Sequence, residues 1–193
     1  FQGSEDRTRK RLIYSSTPYR GLEHLIRYLP LLKKLHPELE AHIFSGYSVY
    51  GQPDGAALQN LRQDLEKISG VTWHGNKTQK ELAREFMKSS ILFYPCQFEE
   101  TSCITAIEAM AAGCVPLTTK LAALPETIGE AGILIDGVPG QLNYDENYLR
   151  AAHSLLSDDA LWQKLSKLGK EQALEHSWAK IAKRFEEFAQ SKL

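Results

Sequence analysis

An α/β fold built on an open parallel sheet, with helices on both faces, is what this sequence predicts. Three observations carry it: short β-rich runs alternate with helix-period segments, four strand-helix units stand in a row, and helices alone close the chain. The first strand is expected at 12–16. A helix follows over 21–35, where Leu22, Leu25, Ile26, Leu29 and Leu32 share one face, and Pro30 predicts a kink or an early stop. The alternation continues with strands at 41–45, 71–74 and 91–94 and helices at 56–68, 79–88 and 102–112. Two more strands are expected at 115–118 and 132–135, separated by a helical turn over 124–128, before helices near 146–156, 159–175 and 178–189. The longest loop falls at 47–55. In such sheets ligands bind beyond the carboxyl ends of the strands, so the informative residues lie in loops that follow strands.

Composition narrows the function classes. The 193 residues, 42% hydrophobic and 24% charged, suit one globular domain with a real core. A formal net charge of -1, from 23 basic and 24 acidic residues, supplies no field to hold nucleic acid. Cys96, Cys103 and Cys114 are odd in number, sit among apolar residues and lack paired spacing, which points away from a disulfide scaffold or zinc site and towards a reducing, cytoplasmic setting. No apolar run approaches the ~20 residues that span a bilayer, and no signal-peptide pattern is present, so a soluble protein is expected. Residues 1–4 read as an expression-tag remnant and 5–193 as one domain; a strand so soon after a tag is taken as a sign that an N-terminal half is missing.

The most informative stretch is 91–113, a buried strand, a loop and a helix. Thr101 and Ser102 are hydroxyl-bearing N-cap candidates and Gly113 is a natural residue just past the helix end. Free backbone N–H groups at the helix start form a ready anion site. Glu100 precedes the helix and Glu108 lies eight residues on, some ~12 Å further at 1.5 Å per residue. Because helical side chains tilt towards the N-terminus, a diphosphate at the helix start would lie between two carboxylates able to accept bonds from hydroxyls at either end of an elongated ligand. A nucleotide sugar has that shape.

Phe98-Glu99-Glu100, followed by Glu108-Ala109-Met110-Ala111-Ala112-Gly113-Cys114-Val115-Pro116, resembles the signature of glycosyltransferase family 4, retaining enzymes of the GT-B fold. The resemblance runs from about Leu12 to the last helices and includes Arg20-Gly21-Leu22, Leu124-Pro125-Glu126, Gly132-Ile133-Leu134 and Trp178. It implies a Rossmann-like open parallel sheet forming the C-terminal half of a GT-B fold. It further implies that Glu100 contacts the donor sugar, Glu108 the ribose and Arg20 the diphosphate. Two departures stand out: Ser15 occupies the place of an arginine five positions before Arg20, with Ser15 or Ser16 left to compensate by hydrogen bonding, and Ala122-Ala123 replace a glycine pair.

Blander readings stand beside these. Glu108 is bracketed by Ile104, Ile107, Ala111 and Ala112, where an idle charge would be costly, so a functional reading is preferred. Glu99 and Glu100 could merely complement the helix dipole. Arg20 stands beside Gly21 where phosphates approach backbone closely. His74 is read equally as a ligand-edge group or a satisfied core histidine. Asp158 and Asp159 read as a helix cap rather than a metal pair, and Trp73, Trp162 and Trp178 as packing residues. Lys164, Lys167 and Lys170 read as a solvated face, with peripheral membrane contact left open.

The expectation is thus the donor-binding half of a glycosyltransferase, with Ser15, Ser16, Arg20, Gly21, His74, Glu100, Thr101, Ser102, Cys103 and Glu108 around a nucleoside-diphosphate sugar, of which a UDP-sugar is preferred. Glu100 is the catalytic candidate. No metal or cofactor is assigned, and the half by itself is expected to be inactive. The rivals are a GT-B epimerase or phosphorylase and a non-catalytic nucleotide-sugar or phosphate-binding module.

Overall fold

Six parallel strands form one sheet in the computed structural model, which describes residues 5–48 and 51–192. The tag assignment at 1–4 and part of the 47–55 loop lie outside the described residues. The strands are β1 (Thr8–Ser15), β2 (Glu40–Phe44), β3 (Val71–Trp73), β4 (Ser89–Tyr94), β5 (Val115–Thr119) and β6 (Ile133–Ile135), in the order β3-β2-β1-β4-β5-β6. Every pairing is parallel, with Leu12 opposite both Ala41 and Ile91, and Ile91 opposite Val115. β4 and β5 are buried along their whole length, as expected of central strands covered on both faces.

The helices are α1 (Leu25–Leu35), α2 (Ala56–Glu66), α3 (Gln79–Lys88), α4 (Ile104–Ala111), α5 (Leu124–Ile128), α6 (Leu142–Ser157), α7 (Asp159–Glu175) and α8 (Trp178–Gln190). Right-handed crossovers leave β1 and β4 in opposite directions and so put α1 and α2 on one face, α3 and α4 on the other. α6 packs against α1, and α7 against α4.

Several boundaries depart from the sequence pattern for identifiable reasons. The first helix does not begin at Gly21: two 3-10 turns, Pro18–Arg20 and Leu22–His24, precede α1, which then runs through Pro30 to Leu35 without stopping. A proline inside a helix costs about 3 kcal/mol. Burial of Leu25, Tyr28, Leu29 and Leu32 outweighs that, because each large apolar side chain contributes about 1.5–3 kcal/mol. α6 begins at Leu142, four residues before the apolar period becomes clear, and buries Tyr144 and Tyr148. Asp158 caps α7 through Leu161 N at 2.9 Å, as its position suggested.

α8 buries none of its residues. Trp178 is 84% exposed, which corrects the reading of all three tryptophans as packing groups; Trp73 is buried and Trp162 donates to Ser90 O at 2.8 Å. Ile181, Phe185 and Phe188 continue the exposed stripe at helical spacing. Lys180 and Arg184 both pair with Glu175, which ties α8 to the end of α7.

Beneath the sheet, a chain of polar groups joins β1, α1 and α6. Lys10 Nζ lies 3.2 Å from His36 Nδ1, and His36 Nε2 lies 3.0 Å from His153 Nδ1. An ammonium only donates, so His36 accepts at Nδ1 and donates from Nε2, which requires a neutral ring. Burial, then the Lys10 charge and His153, hold the His36 pKa below its ordinary value, against a smaller opposing pull from Glu38. Burial also lowers His42 and His74. A histidine depressed in the fold binds fewer protons than in the unfolded chain, so stability falls as pH drops through the unfolded value of about 6.5. Thermal unfolding should therefore show a midpoint that holds above about pH 7 and declines below about pH 6.5. His36→Leu should flatten part of that decline; an unchanged slope would refute the role given to this chain.

Candidate functional site

The strand order reverses between β1 and β4, and the loops leaving these two strands carry Arg20 and Glu100. Such a switch point opens a crevice at the carboxyl edge of a sheet. Here the two loops touch. Gly21 adopts a φ of 105°, and a Cβ placed on it would stand 1.9 Å from the Pro95 carbonyl oxygen. The backbone of the neighbouring loop therefore demands a glycine here, a reason the sequence reading of this position did not include. Gln97 completes the junction, donating to Glu23 Oε1 at 2.6 Å and to Tyr19 O at 3.3 Å.

That junction brings Arg20 onto Glu100, with Nη1 donating to Oε1 at 2.5 Å. The Tyr94 hydroxyl donates to the same oxygen at 2.7 Å, and Ser16 Oγ stands 3.4 Å from the Tyr94 oxygen. Glu100 is only 7% exposed, whereas the guanidinium of Arg20 lies over the Phe98 ring at 4.4 Å. Burial by itself would lower the Arg20 pKa, but hydrogen bonding to Tyr19 and the nearby Glu100 and Tyr94 raise it well above its ordinary value. Arg20 Nε and Thr17 Oγ1 are buried without a hydrogen-bond partner among the described residues. Sequence reasoning missed Tyr94, since a tyrosine ending an apolar strand looks like any core aromatic.

The start of α4 differs from expectation. Neither Thr101 nor Ser102 caps it; both are exposed, and the N-cap is Cys103 in the left-handed region at φ 48°, with no side-chain cap bond. The reason is that this segment is tied to α5 instead: Thr127 Oγ1 donates to Ser102 O at 3.0 Å, and Ala123 N to Glu100 O at 3.1 Å. With no hydroxyl turned back on it, the first turn keeps N–H groups for an anion. The far end follows the sequence reading: Gly113 N bonds Met110 O and Cys114 N bonds Ala109 O, both at 2.8 Å, the paired bonds of a Schellman end. Burial raises the Cys103 thiol to about 12 and also raises Cys96, so neither is poised as a nucleophile. Ala122, one of the two alanines read as replacing a glycine pair, also sits at φ 48°.

A cavity of about 210 Å³ opens beside Arg20, lined by Ser15, Ser16, Thr17, Gly46, Asn76 and Thr105 among others. Pockets for drug-sized ligands span about 300–1,000 Å³, so this one is smaller than a site that would enclose such a ligand whole. Glu108 is one turn along α4 from Thr105, half-buried, and accepts from Gln79 Nε2 at 2.6 Å. Its neighbour Ile104 is 65% exposed, so the argument that an apolar setting makes an idle Glu108 costly does not hold. His74 is not in this cavity. It stacks on Phe44 at 4.5 Å, lies 2.9 Å from His42 and lines an adjoining space of about 260 Å³, which shares Phe44 and Lys77 with the first cavity; these ring contacts are those of a satisfied histidine. Among the described residues, no three His, Cys, Asp or Glu side chains gather as a metal site.

Comparison with known proteins adds four findings. The family model described as glycosyl transferases group 1 matches residues 3–173. A D-inositol 3-phosphate glycosyltransferase of Corynebacterium kroppenstedtii is 26% identical over 168 residues, covering 85% of this chain and 36% of that protein. A lipopolysaccharide 1,2-N-acetylglucosaminetransferase of Salmonella typhimurium is 23% identical over 184 residues, covering 91% of this chain and 47% of the relative. The solved sucrose-phosphate synthase of Thermosynechococcus elongatus superposes with a TM-score of 0.75 at 21% identity, over 94% of this chain and 45% of that one, a likeness of fold. The chain thus spans less than half the length of these proteins.

The loop junction generates a direct test. Gly21→Ala should lower stability by at least about 1–3 kcal/mol from backbone strain alone, with the Pro95 clash added. Urea unfolding measures it, and a loss under about 0.5 kcal/mol, the ordinary surface range, would show that the junction is not tight.

Proposed function

This chain belongs to the glycosyl transferases group 1 family, and from that premise we propose that it binds a nucleoside-diphosphate sugar, a UDP-sugar by preference, as the donor half of a retaining sugar-transferring enzyme. One observation carries the reading: Arg20 and Glu100 meet at 2.5 Å at the switch point, beside a cavity and an uncapped helix start. A cation and free N–H groups suit a diphosphate, and a carboxylate suits sugar hydroxyls. In the proposed pose the diphosphate lies between Arg20 and α4, the hexose towards Glu100, and the ribose towards Glu108, displacing the Gln79 amide. Developing charge on the departing diphosphate is offset by Arg20 and the α4 dipole. Neither Thr101, Ser102 nor His74 is given a part through its side chain. A cytoplasmic setting is proposed with it, in keeping with three buried free cysteines; no helix among the described residues is long and apolar enough to cross a membrane.

Calorimetry in chelator with UDP, UDP-glucose, UDP-N-acetylglucosamine and GDP-mannose tests the reading. At least one should bind without divalent metal; binding by none would overturn the donor-site proposal, and binding only with magnesium or manganese would overturn its metal-free part. The 193-residue chain should show no sugar transfer by itself, because the proposed active site needs a second wall. Turnover by this chain would refute that.

The two glutamates should separate. Glu108→Gln should weaken UDP and its sugar alike by about tenfold, the scale of a lost charge-assisted bond, whereas Glu100→Gln should weaken chiefly the sugar nucleotide. Equal effects of both variants on both ligands would show that the ends are wrongly assigned.

A further inference from the structure

Behind Glu100 lies a hydroxyl that no motif in the sequence marks. We propose that Tyr94 is a positioning residue, fixing which oxygen of Glu100 is presented to the donor sugar; this rests on the reading of Glu100 as the sugar-holding carboxylate. Arg20 Nη1 and the Tyr94 hydroxyl both donate to Oε1, at 2.5 and 2.7 Å. With two donors on one oxygen, Oε2 is the atom that meets ligand hydroxyls.

Proton counting gives the arrangement a direction. A carboxylate only accepts, so the single phenol proton of Tyr94 goes to Glu100. Ser16 Oγ, 3.4 Å from the phenol oxygen, must then be the donor to it. The order is Ser16 to Tyr94 to Glu100, closed by Arg20 from the other side. Burial, reinforced by the neighbouring Cys96, Cys103 and Glu100, raises the phenol pKa far above its ordinary value, so the proton stays in place. A serine proton committed to Tyr94 is not at the same time available to a phosphate, which narrows the part that Ser16 plays at the diphosphate.

The ring itself is fixed. Tyr94 is 1% exposed and meets Tyr14 edge to face at 5.8 Å, so its phenol oxygen is held in place beside Glu100. Arginine and carboxylate favour a two-oxygen fork. With the Tyr94 hydroxyl gone, Glu100 turns both oxygens onto Arg20, and the sugar loses its acceptor while the ring packing remains.

The test compares affinities for UDP and for the UDP-sugar that the wild-type chain binds best, UDP-glucose or UDP-N-acetylglucosamine. Tyr94→Phe should lower the ratio of UDP-sugar to UDP affinity by roughly tenfold, the scale of one hydrogen bond to a charged group. The same substitution in a Glu100→Gln background should leave that ratio where Glu100→Gln already put it, since the two residues act through one contact. A ratio unchanged by Tyr94→Phe, or an undiminished further loss in the double variant, would overturn the proposal. A wild-type chain that binds UDP and its sugars equally would instead overturn the reading of Glu100 itself, before any variant is compared. Circular dichroism establishes that each variant is folded, and the double-variant comparison keeps the test valid if Tyr94→Phe also costs some stability.

Discussion

The contact between Gly21 and the Pro95 carbonyl is the constraint from which the site is built. Neighbouring parallel strands run about 4.8 Å apart, and at a switch point their loops turn away to opposite faces. For residues on the two loops to touch, one backbone must cross close over the other. Gly21 permits this by lacking a side chain and by accepting φ of 105°, and Arg20, its predecessor, is carried onto Glu100. A shift of either loop would separate charge from countercharge.

The resulting ion pair is poorly explained as a stabilising device. Removing a carboxylate from water costs several kcal/mol, and buried pairs often break even against apolar side chains. Glu100 is nearly buried, and one nitrogen of Arg20 lies buried with no hydrogen-bond partner among the described residues. Such an arrangement suits a place where charge is to be presented: the guanidinium is supported by the Phe98 ring, the carboxylate by Tyr94, and a cavity opens alongside. The buried thiols of Cys96 and Cys103 stay protonated and so place no second negative charge beside the carboxylate.

Much of this architecture was legible in the residues. Every strand expected from apolar runs is present, because parallel strands buried on both faces must be continuously apolar, as Ile91 to Tyr94 are. The order of strands was not legible, since right-handed crossovers allow more than one order from the same alternation. At the site, Glu100, Arg20 and Gly21 were identified from pattern, yet their mutual contact depends on a backbone crossing between residues 74 positions apart in the chain. The N-cap of α4 was misread because Thr127 and Ala123, from a later helix, hold the carbonyls of Ser102 and Glu100. His74 was legible only as a choice between two readings, because its stacking on Phe44 and His42 joins it to a separate strand. Tyr94 and Asn76 escaped because tyrosine and asparagine have many roles, and only three-dimensional placement tells them apart.

The exposure of α8 gives the molecule a built-in optical reporter. Of its three tryptophans, Trp73 is buried and Trp162 is partly covered beneath Arg9, while Trp178 stands in water at the head of the apolar stripe. A water-exposed indole emits at longer wavelength and is open to collisional quenchers, so the red edge of the fluorescence belongs chiefly to Trp178. Because Lys180 and Arg184 moor this helix to Glu175 at the end of α7, that light reads the surroundings of α8 with the core tryptophans as an internal standard.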